Sequence, residues 1–120
     1  MNKKNKRVAM IGLGAMGTAL AKSLLENKIE IHIWNRSPNK TEVLEQKGAS
    51  THLKPYNAIE LCDLVIICLS NYDAWKVIVD DEKTQTSLKN KTVVQLSTGS
   101  MAEVEDNSLV MKSFEPELIE

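Results

Sequence analysis

Short apolar runs alternate with helix-periodic stretches along the whole chain. The first run, Arg7-Val-Ala-Met-Ile-Gly12, reads as a buried strand. Met16, Ala19, Leu20, Ser23 and Leu24 then recur at i, i+3, i+4, i+7 and i+8, one face of a helix. Ile29-Glu-Ile-His-Ile-Trp34 alternates and is rich in β-branched residues, which predicts a second strand. Ser37-Pro38 is a hydroxyl cap followed by proline, a helix start; that helix carries Val43 and Leu44 and stops at Gly48. Ser50 to Leu53 reads as a short edge strand, and Pro55 to Cys62 as one or two helical turns.

Asp63-Leu-Val-Ile-Ile-Cys-Leu69 is apolar without alternation, the pattern of a parallel strand covered on both faces. Asn71 or Asp73 can cap a helix carrying Trp75, Ile78 and Val79, whereas Asp80 to Asn90 is polar and reads as a loop. Thr92-Val-Val-Gln-Leu96 is another strand, and Met101 to Lys112 a final helix with Val104, Ser108 and Met111 on one side. Strands alternating with helices predict an α/β fold with a parallel sheet and right-handed crossovers. The chain shows no repeat, no low-complexity tract and no linker, and its 120 residues suit one domain.

Composition narrows the function classes. Only 4% of residues are aromatic, so a nucleic-acid surface of stacked rings is not expected. A net charge of -1 gives no general pull toward nucleic acid or anionic membrane. The longest apolar run, Leu64 to Leu69, is far shorter than the roughly 18 residues of a membrane span. The basic start around Lys3, Lys4, Lys6 and Arg7 leads into a stretch too short and too broken by glycine for a secretory signal. Cys62 and Cys68 lack metal-binding or redox spacing, which points to buried thiols in a reduced, cytoplasmic protein.

Gly12-Leu13-Gly14-Ala15-Met16-Gly17 matches G-x-G-x-x-G between a strand and a helix, the context that gives the motif meaning. Gly12 allows the tight turn, Gly14 lets backbone approach a pyrophosphate, and Gly17 lets the helix pack closely on the strand. The N–H groups of that helix end then face an anion. A cofactor with free ribose hydroxyls favours an acidic residue at the end of the second strand, roughly 20 residues on. Here Trp34 is followed by Asn35, Arg36 and Ser37, with Lys40 one turn later. Asn35 can bond a ribose; Arg36, Ser37 and Lys40 offer charge and hydrogen bonds to a 2′-phosphate. The expectation is NADP(H) rather than NAD(H). FAD and S-adenosylmethionine are disfavoured by Arg36 and by the spacing.

Two more loops follow strands at the edge where open α/β sheets bind ligands. Leu69-Ser70-Asn71 follows the fourth strand, and Ser97-Thr98-Gly99-Ser100 the fifth; small residues there can approach a nicotinamide and its ribose.

Taken together, Ile11 to Gly17, Trp34 to Ser37 with Lys40, and Leu96 to Ser100 resemble the amino-terminal domain of the β-hydroxyacid dehydrogenases, most of all the imine reductase branch. Cys68-Leu-Ser-Asn-Tyr-Asp-Ala74 is similar to that branch's segment after the fourth strand. The resemblance runs from about Arg7 to Glu103. It implies a Rossmann-type, doubly wound parallel sheet; the domain is placed at residues 7–114, and the charge pattern makes residues 1–6 a basic arm and 115–120 an acidic tail. It also implies that Gly12 to Gly17 cradle the pyrophosphate and that Asn35, Arg36, Ser37 and Lys40 hold the adenosine phosphate. Leu69, Ser70, Asn71 and Thr98 would line the nicotinamide side, with Ser97, Thr98 and Gly99 toward the substrate.

The resemblance implies hydride transfer to or from C=O or C=N, with the catalytic proton donor in a helical second domain that is absent from these 120 residues. No catalytic residue and no metal ligand is therefore assigned. The alternative is a free-standing dinucleotide-binding or sensing module without turnover. Apolar surface left without its helical partner favours association, so a homodimer is one expectation. Two departures stand out: Lys28 occupies a position where the family usually has glycine, so the turn there is either remodelled or carries left-handed strain, and Met101 replaces a frequent proline.

Overall fold

The computed structural model describes residues 6–119, so most of the expected basic arm lies outside the described residues. Six strands form one parallel sheet in the order β3-β2-β1-β4-β5-β6. They are β1 (Arg7–Ile11), β2 (Glu30–Trp34), β3 (Ser50–Thr51), β4 (Leu64–Ile67), β5 (Thr92–Gln95) and β6 (Glu117–Ile119). The helices are α1 (Ala15–Glu26), α2 (Glu42–Gln46), α3 (Pro55–Glu60), α4 (Tyr72–Val79), α5 (Glu82–Ser87) and α6 (Met101–Lys112). Strand order reverses between β1 and β4, and at such a switch point adjacent crossovers part to opposite faces and leave a crevice. This is the doubly wound fold expected from the sequence.

Alternate residues of each strand feed two cores. Val8, Met10, Ile31 and Ile33 pack with Ala21 of α1 and Leu44 of α2. Ala9, Ile11, Val65, Ile67 and Val93 pack with Ile59, Trp75, Val79, Leu88 and Met111 on the other face. Leu64 and Ile66, expected to be covered like their neighbours, are only half-buried. The reason is topological: α3 to α6 all contribute to the opposite core, and α1 reaches just the margin of β4.

Several expectations change. On α1 the fully buried residues are Gly17 and Ala21; of the predicted face Leu20 and Leu24 pack half-buried against the core, while Met16, Ala19 and Ser23 are exposed. The segment Asp80 to Asn90 is not a loop: α5 forms there, with Thr84 and Leu88 buried. Ser37 makes no side-chain cap bond; a 3-10 turn over Pro38–Lys40 precedes α2. The expected acidic tail supplies β6, because Leu118 packs on the core and Glu117 N–H donates to Lys91 O at 2.7 Å. Thr92 Oγ1 also donates to Glu117 Oε1, and Lys89 pairs with Glu115, so the acids have partners. Of the two outcomes open at Lys28, the backbone takes the left-handed one (φ 63°), and Gly48 ends its turn at φ 110°.

Candidate functional site: a dinucleotide-type cleft

At the carboxyl edge of β1 the chain turns sharply at Gly12, whose φ of 103° excludes L side chains in practice. A methyl group on Gly12 would collide with the carbonyl oxygen of Cys68, and one on Gly17 with the carbonyl oxygen of Gly12. The first turn of α1 therefore sits directly on the β1 and β4 ends, with the Cys68 side chain beneath it. Burial raises the Cys68 thiol pKa, partly offset by a hydrogen bond with the Gly17 backbone. Cys62, deeper in the other core, is pushed up to about 12, chiefly by burial. Both are structural thiols, buried and free.

Gly14 differs from its neighbours: nothing lies within 4 Å of where its Cβ would be. That open space belongs to a cleft of about 1180 Å³. Of the residues predicted for the cofactor, Gly12, Leu13, Gly14, Ala15, Met16, Asn35, Arg36, Ser37, Lys40, Leu69, Ser70, Asn71 and Thr98 all line it. Gly17 does not; it is buried under the turn, where its lack of a side chain sets the helix packing. Ser97 and Gly99 also stand back from the wall. The Ser97 hydroxyl accepts from Leu69 N–H at 3.0 Å, joining the loops after β4 and β5. Gly99 lies against the buried ring of Tyr72, where a Cβ would come within 2.6 Å of Cδ1.

Asn35 takes a role the sequence did not signal. Its Oδ1 accepts from Leu13 N–H at 2.9 Å, and its Nδ2 donates to Ser37 O at 3.1 Å. One amide thus fixes both the glycine turn and the segment that presents Arg36. Gln95 does the same for the far lip, accepting from Ser97 N–H at 3.0 Å from a buried position. Asn71 caps α4 by accepting from Ala74 N–H, and Ser100 with Glu103 forms a reciprocal cap at the start of α6. Met101 is consequently the first helical residue, a position where proline fits equally well.

The wall also includes Leu53, Lys54, Pro55 and Tyr56 after β3, and Asp81 and Lys83 around the start of α5. The first group obeys the same carboxyl-edge rule as the predicted loops; the second was hidden by reading its segment as a loop. Lys83 Nζ lies 5.4 Å from the Tyr56 ring centre. Neither histidine reaches the wall. His32 is buried on β2, its Nε2 2.6 Å from Glu30 Oε2 and its Nδ1 2.8 Å from His52 Nε2. His52 is half-buried, and burial followed by the charge of His32 holds its pKa below the ordinary value. Among the described residues no group of three or more His, Cys, Asp or Glu side chains could hold a metal.

A crevice at the switch point of a parallel sheet, floored by a glycine turn and an open helix end, defines a dinucleotide-binding α/β domain. Residues 7–117 match the family described as the NAD binding domain of 6-phosphogluconate dehydrogenase, and the chain belongs to that family. The similar proteins include imine reductases and reductive aminases of the β-hydroxyacid dehydrogenase superfamily. An NADPH-dependent reductive aminase of Aspergillus oryzae is 37% identical over 99 residues, 80% of this chain and 32% of that protein. The cytokine-like nuclear factor N-PAC of Danio rerio is 28% identical over 91% of this chain and 24% of its own length. Among solved structures, an imine reductase from Myxococcus stipitatus in complex with NADP+ superposes with a TM-score of 0.88 at 26% identity, covering 94% of this chain and 39% of that one. The chain thus spans about a third or less of the curated relatives it matches.

Proposed function

We propose that this chain is the NADP(H)-binding domain of an oxidoreductase that moves hydride to or from C=O or C=N. The observation that carries the reading is at the end of β2. Asn35, not a carboxylate, follows β2, and Arg36 and Lys40 line the cleft beside it. An acid there would repel a 2′-phosphate, whereas charge-assisted bonds from Arg36 and Lys40 contribute about 1.5–3 kcal/mol each. The open space at Gly14 and the N–H groups of Ala15 and Met16 at the start of α1 fit a pyrophosphate.

A bound nicotinamide supplies the hydride. The chain's own part is to orient the ring and exclude water from one side: Leu69, Ser70 and Thr98 line that end of the cleft. The Ser97–Leu69 bond keeps the two loops in register. Placement of an acceptor and a proton donor requires a second wall, which a helical domain of the implied kind would provide.

Calorimetric titration is expected to give clearly tighter binding of NADPH than of NADH, with Arg36→Ala weakening NADPH at least tenfold and NADH little. Equal losses for both would remove the phosphate assignment. A second reading is a dinucleotide-sensing module without turnover; the similar proteins include one named as a nuclear factor and not as an enzyme. An open reading frame encoding a helical domain downstream of residue 120 would exclude it.

A further inference from the structure

We propose that Lys54 is a third cation of the 2′-phosphate subsite, so that coenzyme choice is made by two neighbouring strands and not by β2 alone. This rests on the NADP(H) reading above. β3 runs parallel to β2 with Ile33 opposite Thr51, and His52 N–H donates to Ile33 O at 3.0 Å. Counting on from that pair, Arg36 and Lys54 are each the third residue further. Both residues lie past the strand ends, in the loops that leave neighbouring strands β2 and β3 at the same edge of the sheet. Both line the cleft, as does Lys40.

The charges around this end are not balanced by the protein. Among the described residues the lysine and arginine ion pairs are Arg7–Glu30, Lys76–Asp106 and Lys89–Glu115; none involves Arg36, Lys40 or Lys54. The carboxylates on the wall, Asp73 and Asp81, come from α4 and the residue before α5, beyond the switch point. Three unpaired cations from two successive crossovers repel one another unless an anion lies between them.

Lys54 is also a poor choice for its local structure. It holds the N-cap position of α3 and makes no cap bond, where serine, threonine or aspartate would accept one. A locally unfavourable residue in a cleft wall points to a role across the cleft. Its backbone is held extended (φ -129°, ψ 146°), as a residue before proline must be. Two residues earlier, the His52 ring is anchored to buried His32. The ammonium is therefore presented from a stiff base, which lowers the entropy lost on gripping a ligand.

The test uses the full 120-residue chain with Lys54→Gln and Lys54→Arg, titrated with NADPH, NADH and adenosine 2′,5′-bisphosphate. Lys54→Gln is expected to raise the Kd of NADPH and of the bisphosphate about five- to tenfold, with NADH changed less than about twofold. Lys54→Arg should restore most of the loss, and the melting temperature should stay constant throughout. Equal shifts for NADPH and NADH, or no shift for either, would overturn the proposal. If the parent chain itself fails to prefer NADPH, the NADP(H) reading falls and Lys54 with it. If the parent prefers NADPH and Lys54→Gln keeps that preference in full, Lys54 alone is withdrawn.

Discussion

The glycines of the first turn divide into two kinds, and the division can be tested. Gly12 and Gly17 serve folding: one has a left-handed φ, and both face backbone carbonyls that a methyl group would strike. Gly14 has ordinary extended dihedrals and empty space beyond its Cα, so its missing side chain matters to a ligand and not to the fold. Gly12→Ala should destabilise the chain by about 2 kcal/mol or more in urea unfolding. Gly14→Ala should cost less than about 1 kcal/mol yet weaken NADPH at least tenfold. A stable Gly12→Ala protein, or a Gly14→Ala protein with undiminished binding, would contradict this assignment. The glycine spacing was legible because turn geometry restricts residue type. The amides of Asn35 and Gln95 were not: the bond from Asn35 spans 22 positions, and the one from Gln95 depends on a side chain folding back from a strand end, so neither leaves a local pattern.

Among the elements, β3 depends most on polar contacts. It pairs over Ser50–Thr51 only, and the ring of His52 ties it to His32, whose other nitrogen meets Glu30, itself paired with Arg7. The His52 pKa is lowered below 6.5, so the unfolded chain binds this proton more readily than the folded one. Its contribution to stability is complete above about pH 6.5 and is lost as pH falls through the lower folded value. The urea midpoint should therefore drop between about pH 7 and 5, and His52→Gln should flatten that drop; an unchanged slope in the variant would locate its cause elsewhere. Strands and long helices could be read from apolar period because burial imposes it. Helix α5 could not, since Thr84 and Leu88 are its inward contacts, and β6 was masked by the acids flanking Leu118.

At the scale of the molecule, a sheet that reverses its winding between β1 and β4 brings together loops far apart in sequence. Gly14, Arg36, Lys54, Ser70 and Thr98 reach one cleft because each follows a strand. The carboxyl-edge rule made most of this wall legible in the amino-acid order alone. The half-covered face around Leu64 and Ile66 was not legible, because it depends on which side of the sheet each crossover takes. The bond between the Ser97 hydroxyl and the Leu69 amide has a kinetic corollary. With the two lips fastened beforehand, capture of coenzyme involves no wait for a segment to become ordered. In rapid mixing, the observed rate should climb in proportion to NADPH without levelling off. Saturation of that rate would reveal a gate that opens before the coenzyme can enter.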